Sequence, residues 1–134
     1  MPEPLEPGAR HTTTFTLSAA DIERFADATG DRNPVHLDDE AGRAAGFAGR
    51  LAHGMLTASV FSRVLGTLFP GPGTIYLGQT LRFLAPVYPG VELTATVELL
   101  RRERRRATLA TTVALGDGTR VLEGEAEVLL PKGA

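Results

Sequence analysis

From Gly54 to Phe69 the chain carries a single charged residue, Arg63, in sixteen positions. Apolar side chains fall on nearly every side of a helical projection, and a helix of that kind is a buried one. At about 1.5 Å per residue it runs about 24 Å. Pro70-Gly71-Pro72-Gly73 ends it sharply. Thr57, Ser59, Ser62, Arg63, Gly66 and Thr67 make the stretch too short and too polar to cross a bilayer. The rest of the chain therefore has to wrap it.

The wrapping is visible downstream as a period of two. Ile75, Leu77, Leu81, Phe83, Ala85 and Val87 share one parity, as do Val91, Leu93, Ala95, Val97 and Leu99, and then Ala107, Leu109, Val113 and Leu115. After the turn Gly116-Asp117-Gly118 the parity changes to Leu122, Ala126, Val128 and Leu130. Short turns between such runs, Pro89-Gly90 among them, make neighbouring strands antiparallel. A long antiparallel sheet curled around one central helix is an α+β architecture. With 134 residues, 43% hydrophobic and 22% charged, the chain reads as one domain over 1–134.

Residues 1–10 are acidic and proline-rich, a flexible lead-in with the marks of neither a signal nor a transit peptide. His11 to Leu17 reads as a short strand. Ser18 caps a helix, with Asp21 three positions on in a capping-box pattern. Ile22, Phe25, Ala26 and Thr29 form its inner face, and Gly30 stops it. Residues 31–37 fall outside ordinary helix, because Pro34 pushes Asn33 into extended geometry. Asp38, Asp39 and Glu40 suit the start of a second short helix, closed by Gly46 and Gly49.

Fourteen basic against sixteen acidic residues give no electrostatic reason to expect nucleic acid or an anionic membrane. The absence of cysteine excludes disulfides, thiolate catalysis and cysteine-bound metal, and suits a cytoplasmic location. The three histidines lack zinc-like spacing, so no metal is expected. The run from Arg101 to Arg106 reads as a solvated hairpin turn in preference to a phosphate-binding patch. Tyr76 and Phe83 read as core or interface packing.

Two strings carry chemistry. Gly30-Asp31-Arg32-Asn33-Pro34-Val35-His36-Leu37-Asp38 sets a carboxylate and an imidazole five positions apart on a stiff loop. His53-Gly54 opens the central helix, where free N–H groups and a partial positive charge favour an anionic oxygen. Glycine lets a carbonyl oxygen approach closely there, or equally lets a neighbouring strand pack. Singly, Asp31, Asn33-Pro34 and His36 are ordinary residues. Together with His53-Gly54 they point to acid–base chemistry on a carbonyl compound.

These strings resemble the hydration motif and central-helix start of the MaoC-like hydratases. The match extends through His53-Gly54-Met55-Leu56-Thr57-Ala58-Ser59-Val60-Phe61-Ser62 and Ile75-Tyr76-Leu77-Gly78-Gln79. The nearest form is the short PhaJ-type (R)-specific enoyl-CoA hydratase of polyhydroxyalkanoate supply. Ala28 stands where the family usually has a larger aliphatic residue.

The resemblance implies a hot-dog fold: a curved antiparallel sheet around a central helix, with an overhanging loop and helix segment that carries the motif. It implies a homodimer and reversible hydration of trans-2-enoyl-CoA to (R)-3-hydroxyacyl-CoA, with the CoA thioester as substrate and no cofactor. Asp31 and His36 then hold one water, with Asp31 as the main base, and the Gly54 N–H stabilises the thioester oxygen. Ser62 orients the pair, Asn33 fixes the loop or touches substrate, and His53 shapes the helix start. The alternatives are a 3-hydroxyacyl-ACP dehydratase of fatty-acid or polyketide synthesis, a hot-dog thioesterase, and a non-catalytic acyl-binding subunit.

Overall fold

The computed structural model describes residues 5–134. Its elements are β1 (Arg10–Thr16), α1 (Ala19–Thr29), α2 (Pro34–Leu37), α3 (Asp39–Ala44), α4 (Gly54–Arg63), β2 (Ile75–Gln79), β3 (Arg82–Phe83), β4 (Glu92–Glu103), β5 (Arg106–Leu115) and β6 (Arg120–Leu129). The strands form one six-stranded antiparallel sheet in the order β1-β4-β5-β6-β2, with β3 also on β6. With α4 packed on its concave side, this is a hot-dog fold.

The period-two reading holds for β4, β5 and β6. Leu93, Ala95, Val97 and Leu99 of β4 are all buried, as are Ala107, Leu109 and Val113 of β5 and Leu122, Ala126 and Val128 of β6. Register stacks them: Leu99 pairs with Leu109, and Leu109 with Ala126. Facing them from α4 and the turn beyond it are Phe61, Val64 and Leu65, at most 1% exposed. Each such side chain contributes about 1.5–3 kcal/mol of transfer free energy. Thr111 is the polar member of this interior, and it is satisfied: it accepts from Gln79 Nε2 and donates to the Gly124 carbonyl, both at 2.9 Å.

Four expectations need correcting. The central helix is not buried all round in the single chain: Met55 is 59% exposed, and Ser59, Ser62 and Arg63 also face outward. Its last turn, Val64–Leu68, is wound as a π-helix, with the Phe69 N–H donating to the Val64 carbonyl at 2.7 Å. Second, residues 34–37 are helical. Asn33 is extended, as the following proline demands, but Asn33 is the N-cap and Pro34 the first helical residue, where a missing N–H does no harm.

Third, the run from Ile75 to Val87 is not one alternating strand, and of the two readings of Tyr76 and Phe83, core or interface packing, their exposure removes the first. The backbone of Thr80 crosses tightly over β6: a Cβ on Gly124 would lie 1.8 Å from the Thr80 carbonyl oxygen. That crossing separates β2 from β3, and Ile75, Tyr76, Leu77 and Phe83 are all left substantially exposed along it. Fourth, the lead-in expected over 1–10 lies partly outside the described residues, but from Leu5 on it is fastened. The Leu5 carbonyl accepts from Arg102 Nη1 at 2.8 Å, the Gly8 N–H donates to the Leu99 carbonyl at 2.9 Å, and β1 has begun by Arg10.

Candidate active site

The capping box at Ser18 and Asp21 starts α1 as expected, and Gly30 ends it at φ +80°. The loop that follows is built from short side-chain-to-backbone bonds. Thr29 Oγ1 accepts from the Asp31 N–H at 3.2 Å, Asp31 Oδ1 from the Asn33 N–H at 3.3 Å, and Asn33 Oδ1 from the Val35 N–H at 3.3 Å. Asn33 thus caps α2 and fixes the loop. Arg32 pairs with Asp27 at 2.6 Å, so its charge is turned away from Asp31.

Helix α2 carries His36 and is latched to the segment before α4. The Leu51 N–H donates to the Val35 carbonyl at 3.0 Å, and His36 Nδ1 lies 2.7 Å from the Leu51 carbonyl oxygen. A carbonyl only accepts, so Nδ1 carries a proton, and in the neutral imidazole Nε2 keeps its lone pair. The next residue locks onto the sheet side, the Ala52 N–H donating to the Val87 carbonyl at 2.7 Å. His53 follows, 2% exposed, its Nε2 2.9 Å from the Asp31 carbonyl oxygen and its ring stacked on His36 at 3.9 Å.

One carboxylate oxygen of Asp31 and one ring nitrogen each of His36 and His53 lie within 4.8 Å of one another. Two hydrogen bonds of about 2.8 Å opening at a tetrahedral angle span about 4.6 Å, the separation at which a carboxylate and an imidazole share one water, and that separation falls inside this limit. The same three residues make a nominal metal-ligand set, but the two rings stack at an interplanar angle of 28°. Lone pairs lie in their ring planes, so these nitrogens point side by side and do not converge on one ion. The third histidine, His11, is elsewhere, bonded to Thr13 and stacked on Phe69.

Asp31, His36, His53 and Gly54 share a cavity of about 480 Å³ whose other walls are mainly apolar. Gly54 is the first residue of α4, and His53 gives the helix no side-chain cap. Thr57 is the first residue whose N–H reaches a carbonyl within the helix, that of His53, so the N–H groups of the opening turn remain available. The packing expectation for Gly54 has a contact behind it, because a Cβ on it would come within 2.6 Å of the Phe83 ring.

Ser62 is not brought to this pair. It lies eight residues beyond Gly54, about 12 Å along the helix, and lines a separate groove with Ser59, Tyr76 and Gln79. An orienting role for Ser62 on Asp31 and His36 has no contact to act through in the single chain. Phe47, Leu51 and Phe83 are among the cavity residues that sequence reasoning missed. Phe47 had a faint signal, an aromatic in the turn Gly46-Phe47-Ala48-Gly49.

The arginine-rich hairpin is excluded from the site by position. Glu103 pairs with Arg106 at one end of the β4–β5 ladder, whereas the cavity touches Leu122, which pairs with Val113 near the other. Three of its five arginines are otherwise engaged: Arg105 on the Leu130 carbonyl, Arg106 on Glu127, Arg102 on the main-chain oxygens of Leu5, Arg104 and Ala134. No helix among the described residues is long and apolar enough to cross a membrane.

Comparison with known proteins agrees with this geometry. A family model described as "MaoC like domain" matches residues 3–119. A 3-hydroxybutyryl-CoA dehydratase of Methylorubrum extorquens is 48% identical over 132 residues, 97% of this chain and 83% of the relative. An (R)-specific enoyl-CoA hydratase of Rhodospirillum rubrum is 42% identical over 131 residues, 96% of this chain and 90% of the relative. A solved (R)-hydratase from A. caviae involved in PHA biosynthesis superposes with a TM-score of 0.90 at 41% identity, covering 97% of this chain and all of the other.

Proposed function

The chain belongs to the MaoC-like dehydratase family, and on that premise we propose that Asp31 and His36 activate one water for addition across an enoyl thioester. The activity is that of a hydro-lyase: (R)-specific hydration of trans-2-enoyl-CoA to (R)-3-hydroxyacyl-CoA, and its reversal as 3-hydroxyacyl-CoA dehydration. The single observation that carries the assignment of residues is the meeting of a carboxylate and an imidazole, within 4.8 Å, in the cavity that Gly54 also lines.

The tautomer defines what the pair does. With Nδ1–H given to Leu51, His36 offers Nε2 as an acceptor, and Asp31 is an acceptor too. A water between them donates both its hydrogens and presents its oxygen lone pair to C3. As the O–C3 bond forms, Asp31 takes one proton and the C2=C3 electrons move toward the thioester oxygen. The N–H at Gly54 meets that oxygen as its charge develops, and one such donor is typically worth about 3 kcal/mol. The proton returns to C2 from the same side, which makes the addition syn. Asn33 holds the loop in register, and His53 sets the start of α4.

The acyl-CoA carrier and the assembly follow from the same reading. The apolar cavity takes the enoyl group. Edge strand β2 and its surroundings expose Ile75, Leu77, Phe83, Leu84 and Met55, each at least 43%. A second copy of the chain covering this face makes a homodimer and buries it. A thioesterase needs water aimed at C1, and a free-thiol assay separates that outcome from hydration.

Purified chain given crotonyl-CoA alone is expected to consume the enoyl absorbance and yield the (R)-3-hydroxy product. Asp31→Asn and His36→Ala are expected to lower kcat by at least about 10²-fold with the fold intact, on the scale of lost general acid–base catalysis. Near-normal turnover in either variant refutes the assignment of that residue.

A further inference from the structure

His53 is 2% exposed and touches every part of the acid–base apparatus. Its Nε2 lies 2.9 Å from the main-chain oxygen of Asp31, its ring stacks on His36 at 3.9 Å, and it contacts the Phe25 ring of α1 at 4.7 Å. Its own carbonyl receives the Thr57 N–H in the first turn of α4, and the next residue is Gly54. Nδ1, on the other side of the imidazole, is buried with no hydrogen-bond partner among the described residues.

An orphaned polar atom in the interior is unfavourable, and a phenyl ring would fill the same space without one. Packing alone therefore does not account for an imidazole at this position. What the imidazole adds is one directed N–H, and that N–H goes to the peptide that carries Asp31. The Asp31 carbonyl only accepts, so Nε2 is protonated, and in the neutral ring Nδ1 is the bare nitrogen.

We propose that His53 is a positioning residue for both members of the catalytic pair: its Nε2–H clamps the Asp31 peptide while its ring fixes the plane of His36. Among the described residues the Asp31 backbone has no other long-range hydrogen bond, so this contact spaces the carboxylate from the imidazole. Without it the loop pivots about Gly30, and the two groups lose the separation that suits one shared water. This inference rests on the reading of Asp31 and His36 as the acid–base pair.

The test compares His53→Phe and His53→Gln with the parent enzyme and with Asp31→Asn, on crotonyl-CoA. His53→Phe keeps an aromatic ring and loses the donor. It is expected to lower kcat by about tenfold or more, as sub-ångström misplacement does, with KM within about twofold and a cooperative thermal transition retained. His53→Gln keeps a donor and is expected to recover part of that loss. A His53→Phe enzyme at full kcat, or a His53→Gln enzyme no faster than His53→Phe, overturns the proposal. Should His53→Phe fail to fold, nitrogen NMR of the parent protein decides: protonated Nε2 with bare Nδ1 on His53 sustains the clamp, and the opposite tautomer removes it. Full rate in His53→Phe beside an inactive Asp31→Asn defeats the positioning role alone, whereas an active Asp31→Asn defeats the reading beneath it.

Discussion

Replacing Gly54 by alanine separates the packing role of this residue from the oxyanion role proposed for it. The added Cβ would stand 2.6, 2.9 and 3.0 Å from three atoms of the Phe83 ring. Ordinary carbon contacts are about 3.5–4.0 Å, so the ring must retreat by about 1 Å. Phe83 is 52% exposed in the single chain, which leaves it somewhere to go there, whereas the second copy proposed above hems it in. The strain therefore runs from about 1 kcal/mol with the ring free toward about 3 kcal/mol with it covered, the range typical of overpacking. Alanine's better helix propensity offsets up to about 1 kcal/mol of it. The net effect on Tm is at most about 8 °C. Under the proposed oxyanion role catalysis responds differently, because the methyl group would intrude on the approach of the thioester oxygen to the Gly54 N–H. Loss of one preorganised donor, about 3 kcal/mol, lowers kcat by about 10²-fold. Thermal unfolding and enoyl-CoA hydration are then measured for Gly54→Ala, Phe83→Ala and the double variant. Removing the ring should relieve the stability cost, a coupling that the double-mutant cycle reads directly. It should not restore kcat. Full recovery of turnover in the double variant would mean that the glycine merely makes room for the ring.

Three further outcomes are expected. Ser18→Ala removes the N-cap of α1 and should lower stability by about 1 kcal/mol in urea unfolding; the bond from the Ser18 N–H, with Arg24 second, holds the Asp21 carboxyl below its ordinary 3.8, so that charge stabilises fully above pH 3.8 and ceases to as pH falls through the lowered value. Gly42→Ala would place a Cβ 2.0 Å from the Gly49 carbonyl oxygen, a backbone clash expected to cost about 1–3 kcal/mol and to raise KM through the displaced Phe47 loop. Partial burial pushes the Tyr76 phenol from 10.0 up to about 12, although the residue as a whole is 38% exposed; the unfolded phenol ionises first, so stability should decline as pH rises from 10 to 12, and Tyr76→Phe should flatten that decline in denaturant titrations.

The parts legible in the sequence are those whose partners are close or whose pattern is periodic. Leu93, Ala95, Val97 and Leu99 announce β4 because one face of a strand repeats every second residue. Ser18 and Asp21 announce α1 because a capping box is local. Pro34 misled by one step: its constraint on Asn33 is real, yet a proline in the first turn begins a helix as readily as it ends one. Ile75 to Val87 misled because alternation reports which residues share a face, not whether anything covers that face in one chain. At the site, Asp31 and His36 stood out as a motif. Their geometry depends on bonds to the carbonyls of Leu51 and Asp31, fifteen and twenty-two positions from their donors. Main-chain acceptors leave no mark in residue type, and neither does the approach of Phe83 to Gly54.

Leu51 illustrates a separation of labours within a single residue. Its oxygen fixes which nitrogen of His36 is free, while its side chain forms part of the cavity wall. Every amino acid has that oxygen, so the wall can be recontoured by substitution at position 51 and the imidazole's protonation pattern survives. Acyl selectivity can drift across generations of such changes with the proton-handling chemistry inherited intact.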